Sequence, residues 1–164
     1  MYNFSNLCSL HIQYNNDFAN HVVIIMRNFL SKSEKDTYKY CKSIVKLIKL
    51  PSVININGEV GTGKTFISRN IAKQFAHPNI TSSSFQKVNY YHGNVRLIHC
   101  DFYKSGITNN FFHSEIEPHL EGRWIIILEW CAHFPYELNA QKISINIKHN
   151  YAQQSREIST TIVN

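Results

Sequence analysis

Residues 57–70, NGEVGTGKTFISRN, hold the densest chemistry in the chain. Gly58, Gly63, Lys64 and Thr65 fit the spacing G-x-x-x-x-G-K-[ST]. Glycines let a backbone close round an anion so that consecutive N–H groups point at phosphate oxygens. A lysine at this place reaches β- and γ-phosphates, and the threonine hydroxyl ligates Mg²⁺. The helix that must follow turns the positive end of its dipole to the same anion. The expected nucleotide contacts are therefore Gly58, Glu59, Val60, Gly61, Thr62, Gly63, Lys64 and Thr65, with Phe66 behind them. A glycine-rich turn beside a surface lysine is the weaker reading. The motif has an apolar strand (VINI) before it and a helical run (FISRNIAKQF) after it, as the chemistry requires.

Such a site needs a carboxylate at a neighbouring strand end to place Mg²⁺. Asp101 ends the apolar run RLIHC, and Glu129 ends WIIIL. Both fall at the carboxyl edge of a sheet, where ligands of open α/β folds bind. Either acid alone could merely cap a loop; two of them beside a phosphate loop favour the functional reading. Lys64, Asp101 and Glu129 are the expected catalytic set, and Thr65, Asp101 and Glu129 the expected metal set. Trp130 either covers the nucleotide or packs. The run Ser82–Ser83–Ser84–Phe85 lies where a switch-like loop would meet the γ-phosphate, although serine runs are usually only solvated. The nine histidines include no HExxH and no spacing that matches a zinc ligand set.

The elements that must hold these residues can be read in order. Residues 21–30, HVVIIMRNFL, form a first strand. Thr37, Cys41, Ile44, Val45 and Ile48 make one helical stripe, with Ser33 and Asp36 in capping-box relation and Pro51 as the stop. VINI (53–56) is a strand, and a second helix runs from Lys64 to Phe75, stopped near Pro78. Residues 79–95 are a loop with a strand in their second half. RLIHC (96–100) and WIIIL (124–128) are strands, with a helix centred on Ser114–Leu120 between them. ISINI (143–147) and REISTTIV (156–163) alternate as an antiparallel hairpin. The order implies an α/β fold: one P-loop NTPase-like domain, its mixed parallel and antiparallel sheet flanked by helices.

At 164 residues, 43% hydrophobic and 17% charged, the chain suits one soluble domain with a real core. The domain is expected over 22–164, with 1–21 an amino-terminal extension. Met26 is a possible alternative start. No apolar run is long enough to span a bilayer, and the first residues lack a secretory pattern. Cys8, Cys41, Cys100 and Cys131 are far apart and read as thiols of a reducing cytoplasm. The net charge of +6 suits RNA or an RNA-binding partner, but an AT-rich genome would produce it too.

Taken together, the motifs resemble the TsaE (YjeE) family of P-loop ATPases, which act in bacterial tRNA threonylcarbamoyladenosine synthesis. SEKDT with Thr37 is similar to the family's acidic-acidic-Thr helix start, and GEVGTGKT resembles its GxLGxGKT loop. ITSSSFQKVNYY resembles V-x-S-P-T-F-x-L-V-x-x-Y, with Ser83 and Ser84 in place of proline and threonine. HCDFYK resembles H-x-D-x-Y-R through His99, Asp101 and Tyr103, with Lys104 for arginine. ILEW is similar to the family's I-E-W at Glu129 and Trp130, and Arg156 to a late arginine.

The resemblance implies a small ATPase that binds ATP and Mg²⁺ and works with the TsaB–TsaD pair. That pair moves a threonylcarbamoyl group onto the adenosine next to the anticodon, so tRNA is met only through the complex. It further implies that Thr37 and Arg156 flank the nucleotide, that Lys64 neutralises phosphate, and that Thr65 and Glu129 serve the metal. Asp101 would assist metal or water. Two alternatives remain: a small-molecule or nucleoside kinase of the P-loop class, and a non-catalytic nucleotide-dependent binding module. Only Arg123 and Arg156 follow Asp101, which is sparse for a kinase lid.

Overall fold

The computed structural model describes residues 10–14, 23–80, 87–103, 106–131 and 134–164. Eight strands form one sheet. They are β1 (Leu10–Tyr14), β2 (Val23–Ser31), β3 (Ser52–Gly58), β4 (Val88–Tyr91), β5 (Arg96–Asp101), β6 (Trp124–Glu129), β7 (Gln141–Asn150) and β8 (Ser155–Val163). Their order across the sheet is β1-β2-β8-β7-β3-β6-β5-β4. The middle four, β7, β3, β6 and β5, run parallel. The strands outside them pair antiparallel, so the sheet is mixed as expected.

Burial explains which strands sit centrally. Every residue of β6, WIIILE, is buried, the signature of a parallel strand covered on both faces. β7 instead alternates between buried Ile143, Ile145 and Ile147 and exposed Ser144, Asn146 and Lys148. It buries one face only. Helices α1 (Glu34–Val45) and α2 (Lys64–Gln74) cover one side of the sheet, where Cys41, Ile44, Ile67 and Ile71 meet Ile54, Ile127 and Ile145. On the other side Phe112 and Ile116 pack with Val53, Ile98, Ile126 and Leu128.

α1 starts as its sequence requires. The Ser33 hydroxyl accepts from the Asp36 backbone N–H at 3.1 Å and donates to the Asp36 carboxylate at 2.8 Å. The helix ends at Val45, however, before the expected Ile48. Leu47, Ile48 and Leu50 still pack against the core, from a turn that leads into β3. Their apolar spacing records contact with the core and not helix. Tyr40, outside the expected stripe, is buried, and its hydroxyl bonds Thr160 on β8.

Two other segments differ from expectation. The helix centred on 114–120 is a short turn at Asn109–Phe111, a wider one at Phe112–Ile116 and a tight one at Glu117–His119. Thr108 caps its start, and Pro118, which lacks an N–H, confines its end to that last turn. Leu10–Tyr14, in the stretch expected as an amino-terminal extension, is an edge strand antiparallel to Val23–Arg27. Five residues are too few to show alternation. The Ser82–Phe85 run, Lys104 and Cys8 lie outside the described residues.

Cys41 and Cys100 are free and buried, and Cys131 is buried as well. Burial pushes the Cys41 thiol up to about 12, and the Cys100 thiol higher still. The thiols of Cys41 and Cys100 will therefore resist an exposed-thiol reagent at pH 8 and react fully in denaturant, as read by mass mapping. Labelling of Cys41 or Cys100 in the folded protein would contradict the core described here.

Candidate functional site

Three parallel strands end side by side around one turn. β3 gives way at Gly58 to a loop that re-enters α2 at Lys64. β6 beside it stops at Glu129, whose register partner on β5 is Asp101. Only glycine fits at position 58. Its φ is 152°, and a Cβ there would lie 2.4 Å from the Ile147 carbonyl oxygen. Gly63, at φ 100°, precedes the first turn of α2, whose leading N–H groups have no partner within the helix. Thr62 is buried and donates to the Glu59 carbonyl at 2.9 Å, bracing the loop, while Glu59, Val60 and Gly61 face solvent. Phe66 is half-buried on the first turn of α2.

Lys64 folds back under this loop. Its ammonium donates to the carbonyls of Gly58 at 2.8 Å and Glu59 at 2.7 Å. The Trp130 ring centre is 3.5 Å from the same nitrogen, a cation–π contact. Desolvation lowers the Lys64 pKa from its ordinary value, opposed by the charges of Glu129 and Asp101. Trp130 itself has a φ of 62°, uncommon for a residue with a side chain, and its N–H donates to the Ile56 carbonyl. Local strain of this kind is typical of functional positions.

Glu129, 1% exposed, is the most tightly held group. Its Oε2 accepts from the Thr65 hydroxyl at 2.8 Å. Its Oε1 accepts from the Ser68 hydroxyl at 2.7 Å and lies 2.9 Å from His99 Nε2. Burial works to raise the Glu129 pKa and is the largest single influence; His99, Ser68 and Thr65 together outweigh it, so the carboxyl titrates below its usual range. His99 is wholly buried, and its Nδ1 has no hydrogen-bond partner among the described residues. The ring proton therefore belongs on Nε2, donating to Glu129.

Asp101 is half-buried beside this cluster, and its Oδ1 accepts from the Tyr103 N–H at 3.0 Å. The loop-capping role weighed against a metal role thus occupies one of its oxygens. Arg156 comes from the opposite side of β3: its Nε lies 3.9 Å from where a Cβ on Gly63 would stand. It also lines a cavity of about 290 Å³ with His149 and Tyr151. Thr37 is buried, with its hydroxyl engaged by Ser31 at 2.7 Å and by the Ser33 carbonyl. It is linked to Arg156 through Ser31, the register partner of that arginine.

Two residues of the cluster, His99 and Ser68, were not among the expected site residues. Both had readable signals. His99 is two positions before Asp101 on one strand face, and Ser68 is one helical turn after Lys64. The donor set suits a hard cation that keeps most of its ligands from phosphate and water. Thr65 sends its hydrogen to Glu129 and so turns its lone pairs outward, and Asp101 adds a second oxygen source. Among the described residues no three His, Cys, Asp or Glu side chains cluster as a metal cage.

The family model described as "Threonylcarbamoyl adenosine biosynthesis protein TsaE" matches residues 31–158. The chain is similar to the tRNA threonylcarbamoyladenosine biosynthesis protein TsaE of Rickettsia typhi, with 30% identity covering 71% of this chain and 82% of that protein. The protein of the same name from Aquifex aeolicus is 33% identical, over 65% of this chain and 77% of its own length. That from Treponema pallidum is 27% identical over 79% and 96%. The crystal structure of Bacillus subtilis YdiB shares the fold, with a TM-score of 0.63 and 22% identity over 86% of this chain and 88% of that one.

Removing the imidazole by His99→Ala takes one of three donors from a buried carboxylate and leaves a hole. Urea denaturation should show a loss of about 3 kcal/mol, the lower end of what breaking a buried charged pair costs. An unchanged midpoint would mean that His99 does not hold Glu129.

Proposed function

Because the chain belongs to the TsaE family of threonylcarbamoyl adenosine biosynthesis proteins, we propose that it is the ATP-binding and ATP-hydrolysing subunit of the machinery that makes N6-threonylcarbamoyladenosine in tRNA. The reading is carried by one observation: Lys64 and Thr65, side by side at the head of α2, face a buried carboxylate from the next strand. The loop N–H groups and the Lys64 ammonium receive the β- and γ-phosphates, with Lys64 exchanging loop carbonyls for phosphate oxygens. Mg²⁺, when bound, would supply positive charge that offsets the charge of the phosphates. Thr65 and Asp101 would hold it, and Glu129 orients the Thr65 hydroxyl by taking its hydrogen.

Glu129 has both oxygens committed to donors, so it positions and does not abstract a proton. Among the described residues Asp101 keeps one oxygen open, and it is the better placed to orient an attacking water. Trp130 screens the lysine from solvent. Arg156 adds charge on the nucleoside side of the loop, with Thr37 behind it. The chain acts with TsaB and TsaD, which carry out the transfer, and meets tRNA in that assembly. Its place is the cytoplasm; among the described residues no helix is long and apolar enough to cross a membrane.

A P-loop kinase is the second reading, and it lacks support in the arginines: after Asp101 only Arg156 lies near the loop. Calorimetry with ATP and Mg²⁺ tests the binding role. Lys64→Ala should weaken ATP by about a hundredfold or more, since it removes charged hydrogen bonds to phosphate; equal affinity would contradict the assignment. Glu129→Gln should keep affinity within a few fold while phosphate release, measured with the TsaB–TsaD pair present, drops about a hundredfold through misplaced geometry. Parallel loss of affinity and turnover would make Glu129 structural only. A phosphorylated small-molecule acceptor would favour the kinase.

A further inference from the structure

Six lysines, Lys32, Lys35, Lys39, Lys42, Lys46 and Lys49, recur at alternating steps of three and four along α1 and its flanks. On a helix that spacing stacks side chains on one face. All six are exposed, and Thr37, Tyr40, Cys41 and Ile44 are buried on the opposite face. The segment holds half of the chain's twelve lysines. Six lysines against Glu34 and Asp36 leave +4 of the chain's net +6 on residues 32–49, α1 with its flanks.

The two acids neutralise it only at the first turn of α1. Asp36 is engaged by Ser33 and lies 3.7 Å from Lys39, and no acid occurs between it and Glu59. Base composition would enrich lysine but would not sort charge by face, and Glu115 and Glu117 lie with the helical segment on the other side of the sheet. Folding does not call for the arrangement either. Like charges three and four apart oppose a helix, and only Lys42 and Lys46, near its end, gain from the dipole. Lys42 also lies 5.0 Å from the half-buried Tyr38 ring, so an aromatic face sits among the cations.

We propose that this stripe is a docking surface for the phosphate backbone of structured RNA, so that the chain touches tRNA directly and not only through its partners. The inference rests on the reading above for the identity of the RNA. Lys35 to Lys46 extend about 16 Å along the helix, roughly five steps of a duplex strand at about 3.4 Å each. The charge complements phosphate with no carboxylate to repel it beyond the first turn. β2 ends at Ser31, the register partner of Arg156, and α1 follows at Glu34, so the stripe starts near the arginine that approaches Gly63.

Fluorescence anisotropy of a labelled, unmodified tRNA transcript with the full-length chain, over a KCl series, tests it. Wild-type affinity should fall steeply with salt. The triple variant Lys39→Gln, Lys42→Gln, Lys46→Gln should lower the log–log slope by about three and weaken binding at least about tenfold. Its melting temperature should not drop, nor its ATP affinity change, because none of the three touches the loop. Absence of salt-dependent tRNA binding by the wild type, or a variant that binds as tightly, overturns the proposal. So does a variant that keeps tRNA but loses capture of TsaB–TsaD, which would make the stripe a dock for an acidic protein. A wild type that fails to bind ATP would sink the ATPase reading while leaving the RNA slope intact.

Discussion

Glu129 carries a carboxylate into a place closed to solvent, and three donors from two elements keep it there. Thr65 and Ser68 approach from α2, one turn apart, and His99 from β5. An ion buried without partners would cost several kcal/mol, so α2, β5 and β6 are locked in one relation. That lock fixes everything the site requires. It sets the head of α2 against the strand tips, turns Thr65's lone pairs outward and places Asp101 alongside.

The phosphate loop depends on the same geometry. Gly58 permits the approach of β7, whose Ile147 carbonyl leaves no room for a Cβ. The loop then wraps over Lys64, which is held by loop carbonyls on one side and Trp130 on the other. Acids end the strands on one side of β3, while Arg156 and the β7–β8 hairpin stand on the other. The site therefore has a polarity, acidic toward β6 and basic toward β7.

Local chemistry made much of this legible. The glycine spacing and the two strand-end acids are short-range features, and they meet in space because parallel strands end at one edge. The capping pair Ser33–Asp36 and the C-terminal hairpin were readable for the same reason. What sequence hid was long-range. Tyr40 is buried because Thr160 waits for it 120 positions later. Ile48 kept helical spacing while packing from a turn. Ser68 and His99 carry spacing signals to Lys64 and Asp101, but the group they hold, Glu129, comes from another strand. β1 is recognisable only by its partner β2, since five residues show no period.

The family's work on tRNA gives the site a purpose, and the central physical claim is narrower: residues 58–65 enclose the terminal phosphates, with Thr65 directed to the metal by Glu129. A crystal structure with a non-hydrolysable ATP analogue and Mg²⁺ tests it most directly. Phosphate oxygens should lie within hydrogen-bond reach of the loop N–H groups and the Lys64 ammonium, with the Thr65 oxygen on the metal. A nucleotide bound elsewhere, or a metal with Thr65 and Asp101 both turned away, would contradict it.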